Sequence, residues 1–294
     1  MNALKRTFGF INNHPLAKKH LLTAYLRFLS WQLKSRLTKE LKPYLFLHGV
    51  YFYAKKGLTG ITGNIYTGLH EFNDIGFLLH FLRPTDTFFD IGANVGSYTL
   101  LASGVIKSKS VAFEPIPSTY NILKKNIALN GLNKLVILEN KGVGNKNENL
   151  TFTALEDTTN HIILDSLIEQ NTISVPITTL DNYTSQKPSL IKIDVEGFET
   201  EVLNGAEQIL RDTILKAIII ELNGSGGRYG YDENEIHEKL LRFGFEPYTY
   251  DPFTRKVYKL EAFGNHNTIY IRDVEFVTNR LEKTIPFKIF NRTI

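Results

Sequence analysis

The stretch Thr87-Phe88-Phe89-Asp90-Ile91-Gly92-Ala93-Asn94-Val95-Gly96-Ser97 decides the fold. Thr87–Ile91 reads as a buried strand and Tyr98–Ile106 carries a helical period, so the glycines between them form a strand-to-helix turn. Such a turn lets the backbone approach a ligand, and the helix N-terminus beyond it offers free N–H groups. Downstream, Ser110–Glu114, Leu135–Glu139, Leu190–Asp194 and Ala217–Leu222 read as further buried strands. Helical periods fall at Ser118–Asn130, Glu199–Arg211 and Glu233–Phe243. Strands alternating with helices predict an α/β fold whose mostly parallel sheet is covered on both faces. Glu246–Tyr250 and Thr268–Arg272 are expected to close the sheet as an antiparallel hairpin. The Asn-rich residues 141–188 should interrupt the alternation with a small β insertion before a helix near Asp181.

In open α/β sheets ligands sit beyond the carboxyl ends of the strands. Glu114 stands at the next strand end, 24 residues after Asp90, where an acid can accept hydrogen bonds from both ribose hydroxyls of a nucleotide-derived cofactor. The dinucleotide fingerprint is not matched, because Asn94 replaces the glycine at which a pyrophosphate approaches. An acid two residues before the first glycine suits a cofactor with an ammonium group and a sulfonium. S-adenosylmethionine has both and carries no phosphate. The alternative, a nicotinamide-dependent oxidoreductase, would need a Tyr-x-x-x-Lys pair or its equivalent after the fourth strand, and Glu199–Arg211 shows none.

Asp90-Ile91-Gly92-Ala93-Asn94-Val95-Gly96, Phe113-Glu114-Pro115, Thr179-Leu180-Asp181, Lys192-Ile193-Asp194-Val195-Glu196-Gly197-Phe198-Glu199 and Val202-Leu203-Asn204-Gly205-Ala206 occur in an order that resembles the FkbM-type methyltransferases. The resemblance covers roughly residues 60–250. It implies a class I, Rossmann-like methyltransferase fold, S-adenosylmethionine as cofactor, and O-methylation of sugars or natural products. It also implies that Asp90, Gly92, Asn94, Gly96 and Glu114 hold the cofactor. The expected acceptor, a sugar hydroxyl in a glycan or its precursor, rests on this resemblance alone.

Asp194 ends the fourth strand beside the strand that bears the turn, so its carboxylate should face the reacting centre. Glu196 lies on the following turn and Gly197 permits a tight entry into the next helix. Two acids so close raise one pKa if buried, which helps a general base. The competing reading of Glu196 is a cap for the helix beginning at Glu199. Glu221 and Asn223 end the fifth strand, and Glu221 is assigned to substrate binding or proton transfer. Oxygen ligands at two strand ends also suit a hard cation such as Mg²⁺. The expectation is nevertheless that no metal is needed and that turnover survives EDTA. His161, His237 and His266 show no metal-ligand spacing.

Upstream, a helix over His70–Leu82 brings His70 within reach of substrate. It brings Glu71 within reach of the cofactor, and the FkbM-type resemblance supplies a glutamate there. Gly224–Tyr231 should overhang the same sheet edge as a lid, with Arg228 and Tyr229 as substrate contacts.

The chain has 294 residues, 43% apolar and 22% charged, enough to build a core. It contains no cysteine, which excludes disulfides, cysteine–zinc clusters and thiol nucleophiles. Residues 1–42 carry nine basic side chains against Glu40, or +8. The overall charge of +4 therefore leaves the rest mildly acidic and unsuited to nucleic acid. The organisation expected is a basic helical extension (1–45), a β/helical lead-in (46–85), the methyltransferase domain (86–275) and a tail (276–294). No stretch is long enough to span a bilayer and no signal-peptide pattern opens the chain, so a cytoplasmic protein is expected. Leu22, Leu26, Leu29, Leu33 and Leu37 fall at helical spacing among basic residues. Such a helix either lies on an anionic membrane or packs its leucines on the body. A non-catalytic, membrane-recruited module is a second alternative, opposed by the presence of Asp90, Glu114, Asp194 and Glu196 together.

Overall fold

Side chains alternate across each central strand. Phe88, Leu190, Ala217 and Ile219 enter one buried apolar layer, while Phe89, Ile91, Ile191, Ile193, Ile218 and Ile220 enter the other. Such strands need helices on both faces. The computed structural model describes residues 3–38, 40–153, 161–162, 172–264 and 266–294. Helices α1 (Ala3–Asn13) and α2 (Leu21–Leu37) lead into a hairpin of β1 (Lys42–Leu47) and β2 (Val50–Ala54), then α3 (Thr59–Thr67) and α4 (Phe72–Phe81). The central fold continues through β3 (Thr87–Ile91), α5 (Ser97–Thr99, widening into a π-helical stretch to Val105), β4 (Lys109–Phe113), α6 (Pro117–Leu129) and β5 (Val136–Glu139). A small three-stranded sheet follows, built from β6 (Gly142–Val143), β7 (Glu148–Thr153) and β8 (Thr172–Thr178). Part of the 141–188 insertion, residues 154–160 and 163–171, lies outside the described residues. Then come β9 (Leu190–Ile193), α7 (Glu199–Asn204), α8 (Glu207–Arg211), β10 (Ala217–Glu221), α9 (Glu233–Arg242), β11 (Glu246–Asp251), β12 (Lys256–Lys259), β13 (Asn267–Ile271), α10 (Val274–Glu282), β14 (Lys288–Ile289) and β15 (Arg292–Thr293).

The main sheet has eight strands in the order β12-β11-β13-β10-β9-β3-β4-β5. Strands β10, β9, β3, β4 and β5 are parallel, and β13, β11 and β12 run antiparallel at one side. The C-terminal antiparallel unit is therefore as expected, with β12 added outside it. The chain winds outward from β3 to β5 and returns on the other side of β3 as β9. That reversal opens a crevice at the carboxyl ends of β3 and β9, where a ligand belongs.

Two helices differ from the sequence pattern. Glu199–Arg211 is broken at Gly205-Ala206 because the Asp181 carboxylate accepts the Gln208 and Ile209 N–H groups at 3.0–3.1 Å and starts a new helix. A Cβ at Gly205 would lie 2.0 Å from the Gly144 carbonyl oxygen, so this corner admits no side chain. The second difference is in α2. It buries Ala24, Phe28, Trp31 and Ser35, and Leu22, Leu26, Leu29, Leu33 and Leu37 face outward. The leucines share the spacing of the buried set but sit two residues earlier, about 200° around the helix. The reading in which they pack on the body is thus reversed.

Candidate functional site

The turn after β3 is fixed by backbone geometry. Gly92 has φ +79°, and a Cβ there would lie 1.8 Å from the Asp194 carbonyl oxygen, so the ends of β3 and β9 meet without room for a side chain. Asn94 takes the left-handed conformation (φ 50°), which asparagine tolerates, and its Oδ1 accepts the Val95 N–H at 2.8 Å. Gly96 opens α5 with φ +97°. The Asp90 carboxylate accepts hydrogen bonds from Thr99 N and Oγ1 at 3.1 and 2.5 Å, and burial raises its pKa to about 6. At the end of β4, Glu114 accepts Asn94 N–H on one oxygen and Ile116 N–H on the other, each at 2.9 Å. Burial raises its pKa to about 7.

Carboxylates also collect at the ends of β9 and β10. Asp194, Glu196 and Glu221 can place one oxygen each within 4.8 Å of one another. Lys192, only 3% exposed, pairs with Asp194 at 2.7 Å, and its ammonium lies 5.0 Å from the Tyr98 ring centroid. Burial draws the Lys192 pKa down, but Asp194, Glu71 and Asp90 more than reverse this and keep it charged. Burial, followed by the neighbouring Asp194, pushes Glu221 up to about 8. Glu196 adopts φ 55°, a strained conformation for a side-chain-bearing residue. The helix cap expected of Glu196 is not made, since α7 has no side-chain cap hydrogen bond; Glu199 Oε1 instead holds the preceding turn by accepting the Val195 and Gly197 N–H groups at 3.0 and 3.3 Å.

From the other side, α4 brings Glu71 at its N-cap. Asn267 at the start of β13 donates to Glu71 at 2.8 Å and to Asp74 at 3.2 Å. Burial, then Glu71, raises Asp74 to about 7. The His70 ring packs over Gly63, and burial lowers its pKa. His70 Nδ1 is buried with no hydrogen-bond partner among the described residues.

These groups line one cavity of about 640 Å³, within the range of small-molecule sites. It brings together His70, Glu71, Asp90, Gly92, Asn94, Glu114, Asp194, Glu196 and Glu221, all singled out in the sequence. Gly96, Arg228 and Tyr229 are not among the lining residues. Arg228 donates to the Glu196 carbonyl oxygen at 3.4 Å. The Tyr229 hydroxyl is bonded to the backbone of Ile162, with its ring against Phe198. The sequence reading missed Lys192, Tyr98, Asp74, Asn267 and the contribution of α1, whose Arg6, Thr7 and Phe10 line the cavity. Lys192 had a signal: it is the one charge in a wholly buried strand. Asn267 had none, standing 196 residues from its partner Glu71.

The model of the FkbM methyltransferase domain matches residues 90–247, from the first acid of the turn into β11 and more than half of the chain. The chain belongs to this family. The FkbM methyltransferase is 27% identical over 208 residues to Methyltransferase 1 of Beauveria bassiana, covering 62% of this chain and 83% of that protein. It is 27% identical over 170 residues to the hexuronic acid methyltransferase AglP of Haloferax volcanii, covering 57% and 66%. Among solved structures, an FkbM methyltransferase of Methylobacillus flagellatus aligns with TM-score 0.45 and 14% identity over 69% of this chain; the match spans about half (49%) of that one.

As a methyltransferase of this family the protein uses S-adenosylmethionine, and the cavity fits it. The carboxylates of the lining suit the ammonium and sulfonium of the methionine moiety, and Glu114 keeps unused lone pairs on both oxygens for the ribose. Ile116 and Val143 give an apolar wall beside Glu114 for the base. The nicotinamide alternative is set aside by the family.

Proposed function

We propose that this FkbM methyltransferase O-methylates a sugar hydroxyl, in a glycan or in its precursor. The observation that carries the reading is the group of Asp194, Glu196 and Glu221 in the cavity wall, whose carboxylate oxygens can lie within 4.8 Å of one another. Burial and Asp194 raise the Glu221 pKa to about 8, so its deprotonated form is a stronger base toward a hydroxyl proton than an ordinary carboxylate. Grouped carboxylates also suit an acceptor with several hydroxyl donors. Arg6, exposed on α1 and lining the cavity, suits an acidic group on that sugar, and one relative is named for hexuronic acid.

In this reading Glu114 holds the ribose, Glu71 and Asp90 face the ammonium, and Gly92, Asn94 and Gly96 shape the turn beneath the cofactor. S-adenosylmethionine supplies a methyl group already activated on sulfonium, so the protein's task is chiefly alignment. Lys192 fixes the Asp194 carboxylate, Asp194 orients the acceptor hydroxyl, and a Glu221 oxygen takes its proton. Glu196, strained on the adjoining turn, binds a neighbouring hydroxyl.

Radiolabelled S-adenosylmethionine incubated with hexose- and hexuronate-containing glycans, nucleotide sugars and lipid-linked sugars tests the reading. Recovery of an O-methyl sugar after acid hydrolysis is expected. Label recovered only on nitrogen, or only on a non-carbohydrate acceptor, would overturn it.

A further inference from the structure

The outward leucines of α2 require an explanation that the methyl-transfer site does not give. Leu22, Leu26, Leu29, Leu33 and Leu37 are 75, 57, 51, 66 and 86% exposed. They form one stripe about 22 Å long, since an α-helix rises about 1.5 Å per residue. The stripe lies opposite the aromatic face with which Phe28 and Trp31 hold the helix to the body. A helix that buries one face and leaves leucines on the other presents apolar surface by construction.

The surrounding charge identifies the occupant. Exposed Lys34 and Arg36 stand on opposite flanks of the stripe, and exposed Lys18 and Lys19 precede the helix. On α1, which packs against α2 through Phe8 with Tyr25 and Phe28, Lys5 and Arg6 are also exposed. A second copy of this chain would set one +8 segment against another, so like charge opposes self-association through this face. An anionic surface that admits leucines and meets basic side chains on both flanks is the headgroup region of an acidic bilayer.

We infer that α2 docks the protein on anionic phospholipid, with the leucine stripe inserted at the headgroup boundary and Lys34, Arg36, Lys18 and Lys19 against the phosphates. The helix does not cross the bilayer: no helix of the described residues is long and apolar enough to do so.

Sedimentation of the full chain with phosphatidylcholine vesicles, with and without about one-third phosphatidylglycerol, tests this. The wild type should pellet with the acidic vesicles and be released by about 0.5 M salt, and should stay in solution with the neutral ones. Combined Leu26→Asn, Leu29→Asn and Leu33→Asn should weaken partitioning at least about tenfold with the melting temperature unchanged, because these side chains are exposed already. Lys34→Glu with Arg36→Glu should weaken it independently and guards against misfolding of the leucine variant. The inference is overturned by equal binding to neutral vesicles, by no binding to either, or by unchanged binding of both variants. It is also overturned by a wild-type dimer in light scattering that the leucine variant converts to monomer, which would assign the stripe to a second copy.

Discussion

Glu114 shows how a single carboxylate serves both the fold and the ligand. Its oxygens accept the backbone N–H groups of Asn94 and Ile116, so the turn after β3 is tied to the end of β4 before any ribose arrives. Glu114→Ala should weaken S-adenosylmethionine binding at least about tenfold in calorimetry, with Glu114→Gln intermediate because it keeps one acceptor oxygen. Glu221 predicts a pH profile. Its pKa is raised to about 8, and it must lose its proton to accept another, so turnover should rise with pH through about 8 and fall below it. Glu221→Gln should lower kcat about 10²-fold or more and abolish that limb of the profile. Lys192 provides the positive charge that a cation would otherwise bring to Asp194, so turnover should persist in EDTA. Lys192→Met should both slow turnover and lower the melting temperature, because it leaves the half-buried Asp194 carboxylate without its ion-pair partner. Asp90, Glu114, Asp194 and Glu221 were legible in the sequence because each stands at or next to the end of an apolar run. Asp74 and Asn267 were not, since their partnership exists only across the assembled sheet edge.

At the scale of elements, strand period was the dependable signal, because a buried parallel strand admits little besides apolar side chains. The strands β3, β4, β5, β9 and β10 lie within a residue of their expected bounds. Helix continuity was less legible. The break between α7 and α8 depends on Asp181, distant in sequence, reaching two N–H groups that an unbroken helix would have used internally. The packing face of α2 was misjudged for a related reason. Both of its faces are apolar, and among the described residues only the aromatic one is buried. The seam between β3 and β9 offers a direct test. Gly92→Ala combines a left-handed backbone with a contact of 1.8 Å to the Asp194 carbonyl oxygen. It should lower the melting temperature by about 5 °C or more and reduce cofactor affinity as the strand ends part.

Over the whole molecule, the N-terminal extension is held by buried apolar side chains, Ile11, Leu16, Phe28 and Trp31 among them, and by the buried His14. His14 Nε2 bonds to the Leu69 carbonyl oxygen at 2.6 Å, and burial lowers the His14 pKa to about 4. The ring must stay neutral while docked but takes up a proton below about pH 6.5 once released. Docking is therefore strongest above pH 6.5 and weakens as pH falls toward 4. The buried, down-shifted His70 beside it acts in the same direction. Hydrogen exchange over residues 3–20 should accelerate between pH 7 and pH 5 by more than the intrinsic pH effect, and His14→Gln should flatten that excess. At the opposite end of the chain, Asn267 faces Glu221 in the sheet register and donates to Glu71, so it joins the first and last parts of the cavity wall. A ribosome adds residues in order, and this junction is absent until position 267 has left the exit tunnel. The growing chain can complete the glycine turn and the parallel strands well before then. The contact between Glu71 and Asn267 is thus made late in the order of synthesis, after every strand of the parallel set has been translated.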